Sequence, residues 1–477
     1  MSAAKKKSIH IVIMFALYFI VSHLSPLGVI SEMGMKVLGV FVMTLYGWIF
    51  IDLAWSSLLG MIMLSVIGYA PISKIVAIGL GNATTLMVIA ALMFAYGLQQ
   101  VAFTDWLVNW FMTRKIIKGN PWRLVIGIIV ISYILGLTCG LAGIFIMWIL
   151  IVDIAEKAGY QKGDSTIAFL VSMVVIALVG AGNTLPWKSG PITFGGYFSQ
   201  ASDLAIPFAP FLIYTTVLTV LGIAVMIIFA KICLKIDVSR LVMPDEKIEE
   251  MRSHLNMQPK QKIGLAATIL YALCFILPGF FPQWPGMKFL ASEGVLGISL
   301  IFIVALWAIK DENGEPLIDL EKACGTGVSW SLVWLLAVTF PLAEAMMNGD
   351  IGIIAAISQV CAPLFSSLGV VAFYVLAMVV AGVVTQVAHN IVLAAVLYPV
   401  LCPIAIQIGA NPYALFMMTY MALIAAYGTP AASVNGAMVH GQPWAAGKAA
   451  YIIGWAFLAI TFILNLVVGI PLANILF

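Results

Sequence analysis

Charged side chains are scarce in this chain of 477 residues. Asp, Glu, Lys and Arg together make up 9% of it, and hydrophobic residues make up 63%. A typical soluble domain has about 25% charged residues, so this composition excludes a water-facing globular surface. Apolar runs long enough to cross a bilayer, about 20 residues each, recur from Ile9 to Leu472. The sequence therefore predicts a helical membrane protein with many spans.

The absence of several motifs and residue clusters argues against whole classes of function. No P-loop motif is present, which argues against ATP-driven transport, and no Cys/His cluster has the spacing of metal ligands. A membrane-embedded enzyme needs polar or acidic side chains clustered on adjacent spans, and the chain has almost none. No cleavable signal peptide precedes the first apolar run, which we expect to remain as a span. The six cysteines lie in or beside apolar segments, so we expect them to pack rather than to form disulfides.

The distribution of basic residues predicts the orientation in the membrane. Most of them fall on one side if the stretches Leu124–Ile154 and Val370–Ile406 are re-entrant hairpins rather than single crossings. The positive-inside rule then places the N-terminus in the cytoplasm and the C-terminus outside. We expect about 11 spans in the cell membrane, and no nucleic-acid partner.

The stretch 235–262 is the only one with linker character, and it divides the chain into halves with the same order of features. Each half has a long span, then an overlong apolar stretch with a polar interruption, then a span interrupted by Gly and Pro. The two interrupted spans contain VGAGNTLPWKSGP and YGTPAASVNG. Such breaks in corresponding positions indicate the binding site of a secondary transporter, because exposed backbone is tolerated in a membrane only where it lines a cavity. The helix N-termini that follow the breaks favour an anion.

We therefore predict an all-α polytopic membrane protein with two inverted repeats, each containing a re-entrant hairpin and a broken helix. The first repeat (1–234) comprises scaffold helices over 9–111, a hairpin over 124–158, a broken helix over 166–200 and a helix over 208–232. A cytoplasmic linker over 235–262 follows. The second repeat (263–477) comprises scaffold helices over 263–349, a hairpin over 368–407, a broken helix over 412–440 and a helix over 450–474.

Several segments resemble the divalent anion/sodium symporter (DASS) family of the ion transporter superfamily, over nearly the whole chain. GWIFIDLAW (Gly47–Trp55) is similar to the family's Trp-Ile-Thr-Glu segment. GNATTLMVIAALMFAYGLQQ is similar to its fourth span, and VSWSLVWLLAVTFPLAEAM to the repeat partner of that span. The hairpins and breaks occupy the places of its Ser-Asn-Thr and Gly-Thr/Ser-Pro-Pro-Asn motifs. The resemblance implies an elevator-type homodimer with scaffold and transport domains, which carries di- or tricarboxylates or sulfate with two or more sodium ions.

The chain departs from these family motifs in both halves. Cys139–Leu141 stands at the first hairpin motif, where the side-chain oxygens are lost, and Lys188–Gly190 stands at the first break. His389–Ile391 stands at the second hairpin motif and keeps only the asparagine, Asn390. The second break keeps Gly428–Pro430. Because hard cations prefer oxygen ligands, the sodium site implied in the first half has lost its ligands.

Lys188 is the most informative single residue, since a charge within a span is costly and marks a functional site by default. One interpretation is that its ammonium replaces the first sodium ion. A second is that it binds a carboxylate or sulfate oxygen of the substrate. The third is that it snorkels to the far interface or forms a structural ion pair.

The predicted site combines residues of both halves. The predicted substrate-binding residues are Asn183, Thr184, Lys188, Ser189, His389, Asn390, Gly428, Thr429 and Pro430. The predicted ion-binding residues are Cys139, Gly140, Gly182, Asn390 and Thr429. His389 is either a proton-coupling or substrate-binding group or a packing residue, and the hydroxyls of Thr184, Ser189 and Thr429 either face the ligand or cap their own helices.

The predicted function is secondary active transport of small divalent organic anions or sulfate. The predicted partners are the anion, the lipid bilayer and a second copy of the chain. Sodium or a proton is the predicted coupling ion, with no other metal, no cofactor and no catalytic residue. The alternatives are a cation/proton antiporter or exchanger of the same superfamily and a membrane-embedded enzyme.

Overall fold

The structure is a computed structural model that describes residues 3–26, 28–101, 103–117, 119–138, 141–357, 359, 369–445 and 447–477. Helices make up 77% of the described residues, which form no strand. Ten of the described helices are long and apolar enough to cross a membrane. The predicted all-α, polytopic fold class is therefore confirmed.

The described helices of the first half and the linker are, in chain order, α1 (Ala3–Ser22), α2 (Glu32–Phe50), α3 (Leu53–Val66), α4 (Ile72–Leu80), α5 (Ala83–Gln100), α6 (Thr104–Met112), α7 (Pro121–Thr138), α8 (Ala142–Lys157), α9 (Ser165–Asn183), α10 (Ser189–Ser202), α11 (Phe208–Ile232) and α12 (Asp245–Ser253). Those of the second half are α13 (Pro259–Phe280), α14 (Met287–Ala308), α15 (Leu320–Lys322), α16 (Trp330–Met347), α17 (Val370–Val384), α18 (Asn390–Gln407), α19 (Pro412–Ile424), α20 (Val434–Gly441), α21 (Lys448–Leu464) and α22 (Ile470–Leu476). A π-helical turn, Asn465–Gly469, joins α21 to α22.

The first parts of the two broken helices, α9 and α19, form the centre of the core. In α9, 89% of the residues in its most apolar 18-residue stretch are buried inside the protein. In α19, every residue from Ala414 to Ile424 is buried. The two helices begin alike, because the side chain of Asp164 caps α9 and that of Asn411 caps α19. Such caps satisfy N–H groups that have no partner in the first helical turn. The breaks after α9 and α19 therefore lie deep in the protein.

Corresponding elements of the two halves pack in corresponding ways. The first arm of each hairpin lies against the broken helix that follows it, α7 on α9 and α17 on α19. Each half also sends one long helix across to the other, since α5 packs on α14 and α16 packs on α3. This pattern is compatible with two repeats, but their boundaries and opposite orientation stay predictions.

The segment 81–111, taken from the sequence as one long span, consists of two helices. The chain leaves the helical path after Gln100, and α6 packs against the linker helix α12. The indole N–H of Trp106 in α6 donates a hydrogen bond of 2.8 Å to the carbonyl of Leu255. The linker is itself partly helical, because α12 has acidic residues in its first turn and Arg252 in its last, an order that complements the helix dipole.

We expect Gly136→Ala to destabilise the protein through the packing of α7 on α9. A Cβ at this position would lie 1.9 Å from the backbone oxygen of Leu178, and a backbone atom inside a helix cannot move aside cheaply. Overpacking of this kind costs about 1–3 kcal/mol, so the melting temperature of the purified protein should fall. Gly349→Ala is the matched control, since nothing lies within 4 Å of its Cβ position. Equal melting temperatures for the two variants would contradict the prediction.

Candidate functional site

Residues of both hairpins and both breaks surround one cavity of about 330 Å³. The first half contributes Gly136, Leu141, the end of α9 and the start of α10. The second half contributes Ile424 and the starts of α18 and α20. The volume falls in the range of small-molecule sites, roughly 300–1,000 Å³. The two halves thus form a single site.

Four helix N-termini converge on this cavity. The residues at the N-caps of α8, α10, α18 and α20, which are Leu141, Lys188, His389 and Ser433, all line it. The N-terminus of a helix presents backbone N–H groups and about half a positive charge. None of the lining residues is Asp or Glu. The electrostatics of the cavity therefore favour an anion over a cation.

Lys188 adds a full positive charge at this point. It immediately precedes α10 in an extended conformation, with φ −85° and ψ 154°, and its side chain is half-buried. Its backbone N–H donates to the carbonyl of Leu185 and its own carbonyl accepts from Ile192. To snorkel to the far interface, Lys188 would have to lie on a straight continuation of the helix that begins at Ser165. Since α9 ends at Asn183, that path is not followed.

The first break is held by hydrogen bonds to its backbone. The hydroxyl of Tyr420 in α19 donates to the carbonyl of Asn183 at 2.7 Å, which joins the two broken helices. Thr184 is buried, its hydroxyl donates to the carbonyl of Ala181 at 2.7 Å, and its carbonyl accepts from the hydroxyl of Thr215. The Thr184 side chain therefore bonds the end of its own helix and does not line the cavity.

Three glycines lie at or beside the breaks, and at two of them a side chain of another residue comes close. A Cβ on Gly190 would lie 2.9 Å from the side-chain oxygen of Asn183, and one on Gly428 would lie 2.7 Å from the side-chain oxygen of Gln386. At Gly182 the nearest atom would be 3.5 Å away, an ordinary contact. None of the three has a positive φ. A methyl group at Gly190 or Gly428 would therefore displace a side-chain oxygen, whereas Gly182 has room for one.

The tip of the second hairpin brings His389 and Asn390 to the cavity. The Nδ1 atom of His389 is buried and has no hydrogen-bond partner among the described residues. The side-chain oxygen of Asn390 accepts a 2.9 Å hydrogen bond from the backbone N–H of Ile391. Within the described part of the chain the amide NH₂ group of Asn390 meets no acceptor, and it can bind a ligand.

Gln386, which the sequence analysis missed, joins this hairpin to the second break. Its side chain is fully buried and accepts a 2.7 Å hydrogen bond from the backbone N–H of Gly428. The hydroxyl of Thr429 donates to the Gln386 carbonyl. Gly428 and Thr429 therefore contact the hairpin and do not line the cavity. Pro430 lines a separate depression beside His440 and Lys448.

The structure thus brings together part of the predicted site. The predicted residues that line the cavity are Gly182, Asn183, Lys188, Ser189, His389 and Asn390. Cys139 and Gly140 lie outside the described residues. Ser433 and Asn435 also line the cavity and were missed, although they are the polar residues that close the YGTPAASVNG stretch.

Comparison with known proteins supports a transporter. A family model described as citrate transporter (CitMHS) matches residues 38–422, and no curated protein matches the chain. Among solved structures, the YdaH transporter of Alcanivorax borkumensis, reported to have an unusual topology, is similar with a TM-score of 0.59. The two sequences are 14% identical, and the match covers 85% of this chain and 86% of that one. At this identity the likeness concerns the fold alone.

We expect Tyr420→Phe to destabilise the protein, because it removes the donor that holds the carbonyl of Asn183. A buried acceptor left without its partner costs about 1–3 kcal/mol, which a lower melting temperature would report. Tyr451→Phe is the control, because this residue is 44% exposed and surface changes usually stay within about 0.5 kcal/mol. The prediction is wrong if both variants melt like the wild type.

Proposed function

The chain belongs to the citrate transporter family, and on that premise we propose that it carries small di- or tricarboxylates by secondary active transport, with citrate as the first substrate to test. Family and fold point to a membrane transporter of organic anions rather than an enzyme. The observation that carries the proposal is the convergence of four helix N-termini and Lys188 on a cavity without a lining carboxylate.

The proposed substrate is held from both halves of the chain. One carboxylate lies against the Lys188 ammonium and the start of α10, where a charge-assisted hydrogen bond is shorter and stronger than a neutral one. Another carboxylate lies against the starts of α18 and α20, where the amides of Asn390 and Asn435 line the cavity. A substrate with two or three carboxylates matches this arrangement. Sulfate, a smaller divalent anion, is the second candidate.

We further propose elevator motion in the cell membrane, with the N-terminus in the cytoplasm. The hairpins and broken helices would move as one transport domain against a scaffold that forms a homodimer. The contact of α10 with α5 and α16 is a surface along which the two would slide. One hydrogen bond there, 2.8 Å from the Gln200 side chain to the Phe340 carbonyl, would break on movement. Sodium or a proton would drive transport, with Lys188 replacing one sodium ion.

Uptake of radiolabelled citrate into proteoliposomes tests the substrate and the role of Lys188. Loss of one partner from a buried charge pair costs about 2 kcal/mol or more, so Lys188→Ala should raise the KM for citrate by roughly 30-fold or more. Lys162→Ala, at an exposed position, should leave KM unchanged. If neither citrate, other carboxylates nor sulfate is taken up, the substrate class is wrong. If Lys188→Ala has the KM of the wild type for citrate, Lys188 does not bind the substrate.

Separate sodium and proton gradients across the same vesicles test the coupling. If Lys188 replaces one sodium ion, uptake should need at most one sodium ion per substrate, because its fixed ammonium supplies the other charge. The measurement is the ratio of sodium influx to citrate influx. A strict requirement for two sodium ions would contradict the replacement. Exchange of cations without any anion uptake would favour the antiporter alternative.

A further inference from the structure

The second hairpin and the second break are joined by the Gln386 carboxamide, and we propose that this side chain takes the place of a coupling cation. On this proposal, the second half of the site closes by internal hydrogen bonds and binds no sodium ion there. The inference deepens the proposed transport function by assigning where a coupling ion does not bind.

The second break exposes backbone carbonyls that need hydrogen-bond donors. Between α19 and α20, residues 425–433 leave the helical path, and Ala425, Ala426 and Tyr427 are buried. A buried carbonyl without a hydrogen bond costs roughly 1–3 kcal/mol, and no water is available in a membrane interior to satisfy it. Either a bound cation or donors supplied by the protein must meet these oxygens.

Side chains of the protein meet all three of these carbonyls. The Gln386 amide donates to Ala425 O at 3.3 Å, the Ser433 hydroxyl to Ala426 O at 2.8 Å, and the His440 Nε2 to Tyr427 O at 3.1 Å. A carbonyl only accepts, so this nitrogen of His440 carries the proton. Successive oxygens that would suit a hard cation are thus already bound by donors of the protein.

Gln386 has the connections of a bridging ion. Its Nε2 donates to Ala425 O of the break and, at 2.8 Å, to Gly382 O of the hairpin. Its Oε1 accepts from Gly428 N at 2.7 Å. The orientation of the amide is fixed, because Gly428 N can only donate and the two carbonyls can only accept. One neutral group therefore draws together carbonyls of two segments, as a cation would.

The predicted ligands of an ion in this half are engaged as well. The Thr429 hydroxyl donates to the Gln386 carbonyl and also accepts from Ala431 N. The side-chain oxygen of Asn390 accepts from Ile391 N. The bond from Thr429 to the Gln386 carbonyl joins the break to the hairpin, so closure of this half needs no added positive charge.

Gln386→Glu is the isosteric test. A carboxylate would still accept from Gly428 N, but its other oxygen would face the carbonyls of Gly382 and Ala425 without a hydrogen to donate. The repulsion among these oxygens is relieved when a cation binds between them. Introducing a negative charge at this position should therefore create a sodium site that the wild type lacks.

The measurement is thermal unfolding of the purified full-length chain in sodium chloride and in choline chloride at equal ionic strength, in alkaline buffer. We expect the sodium-specific rise in melting temperature to be several degrees larger in Gln386→Glu than in the wild type, as binding to the native state predicts. Gln161→Glu makes the same charge change at an exposed position and should behave like the wild type.

A second variant keeps the test decisive if Gln386→Glu does not fold. Gln386→Ala removes the carboxamide, and we expect its sodium-specific rise to equal or exceed that of the wild type. A smaller rise in Gln386→Ala would mean that Gln386 helps to bind a cation, and it would overturn the proposal. An equal rise in Gln386→Glu and the wild type would overturn it too. Since unfolding needs no substrate, failure of citrate uptake would count against the proposed function alone.

Discussion

A membrane interior has no water to satisfy a backbone group that leaves a helix, and the arrangement of this protein depends on that constraint. Both breaks lie at the ends of its most buried helices, α9 and α19. At the first break the donors are the hydroxyls of Tyr420, Thr184 and Thr215. At the second they belong to Gln386, Ser433 and His440. Side chains of the protein thus provide hydrogen-bond donors for carbonyls at both breaks, and at the first break one donor comes from the other half.

The carbonyls at the breaks and the helix N-termini at the cavity therefore differ in what they contact. The carbonyls exposed by the second break are bonded within the protein, whereas residues at the starts of α10, α18 and α20 line the cavity. A ligand that enters finds donors and the Lys188 ammonium but no lining carboxylate. Preference for anions therefore follows from how the breaks are satisfied, and it needs no dedicated arginine clamp.

Local patterns predicted the fold class and the polar residues that interrupt apolar runs. Lys188, His389 and Asn390 stand out in the sequence for that reason, and all three line the cavity. The direction in which a side chain points depends on contacts that are remote in sequence. The Thr429 hydroxyl was predicted either to face the ligand or to cap its own helix, and it instead bonds the hairpin tip. Gln386 has no sequence signal of its own, because its partners at the break lie about forty positions away.

The hydroxyl of Tyr420 reaches a carbonyl 237 positions earlier in the chain. It ties the end of α9 to α19, and both helices are packed on nearly all sides. The ends of α9 and α19, which line the cavity, are therefore held together at the centre of the core. The two halves of the chain cannot separate there without breaking this contact.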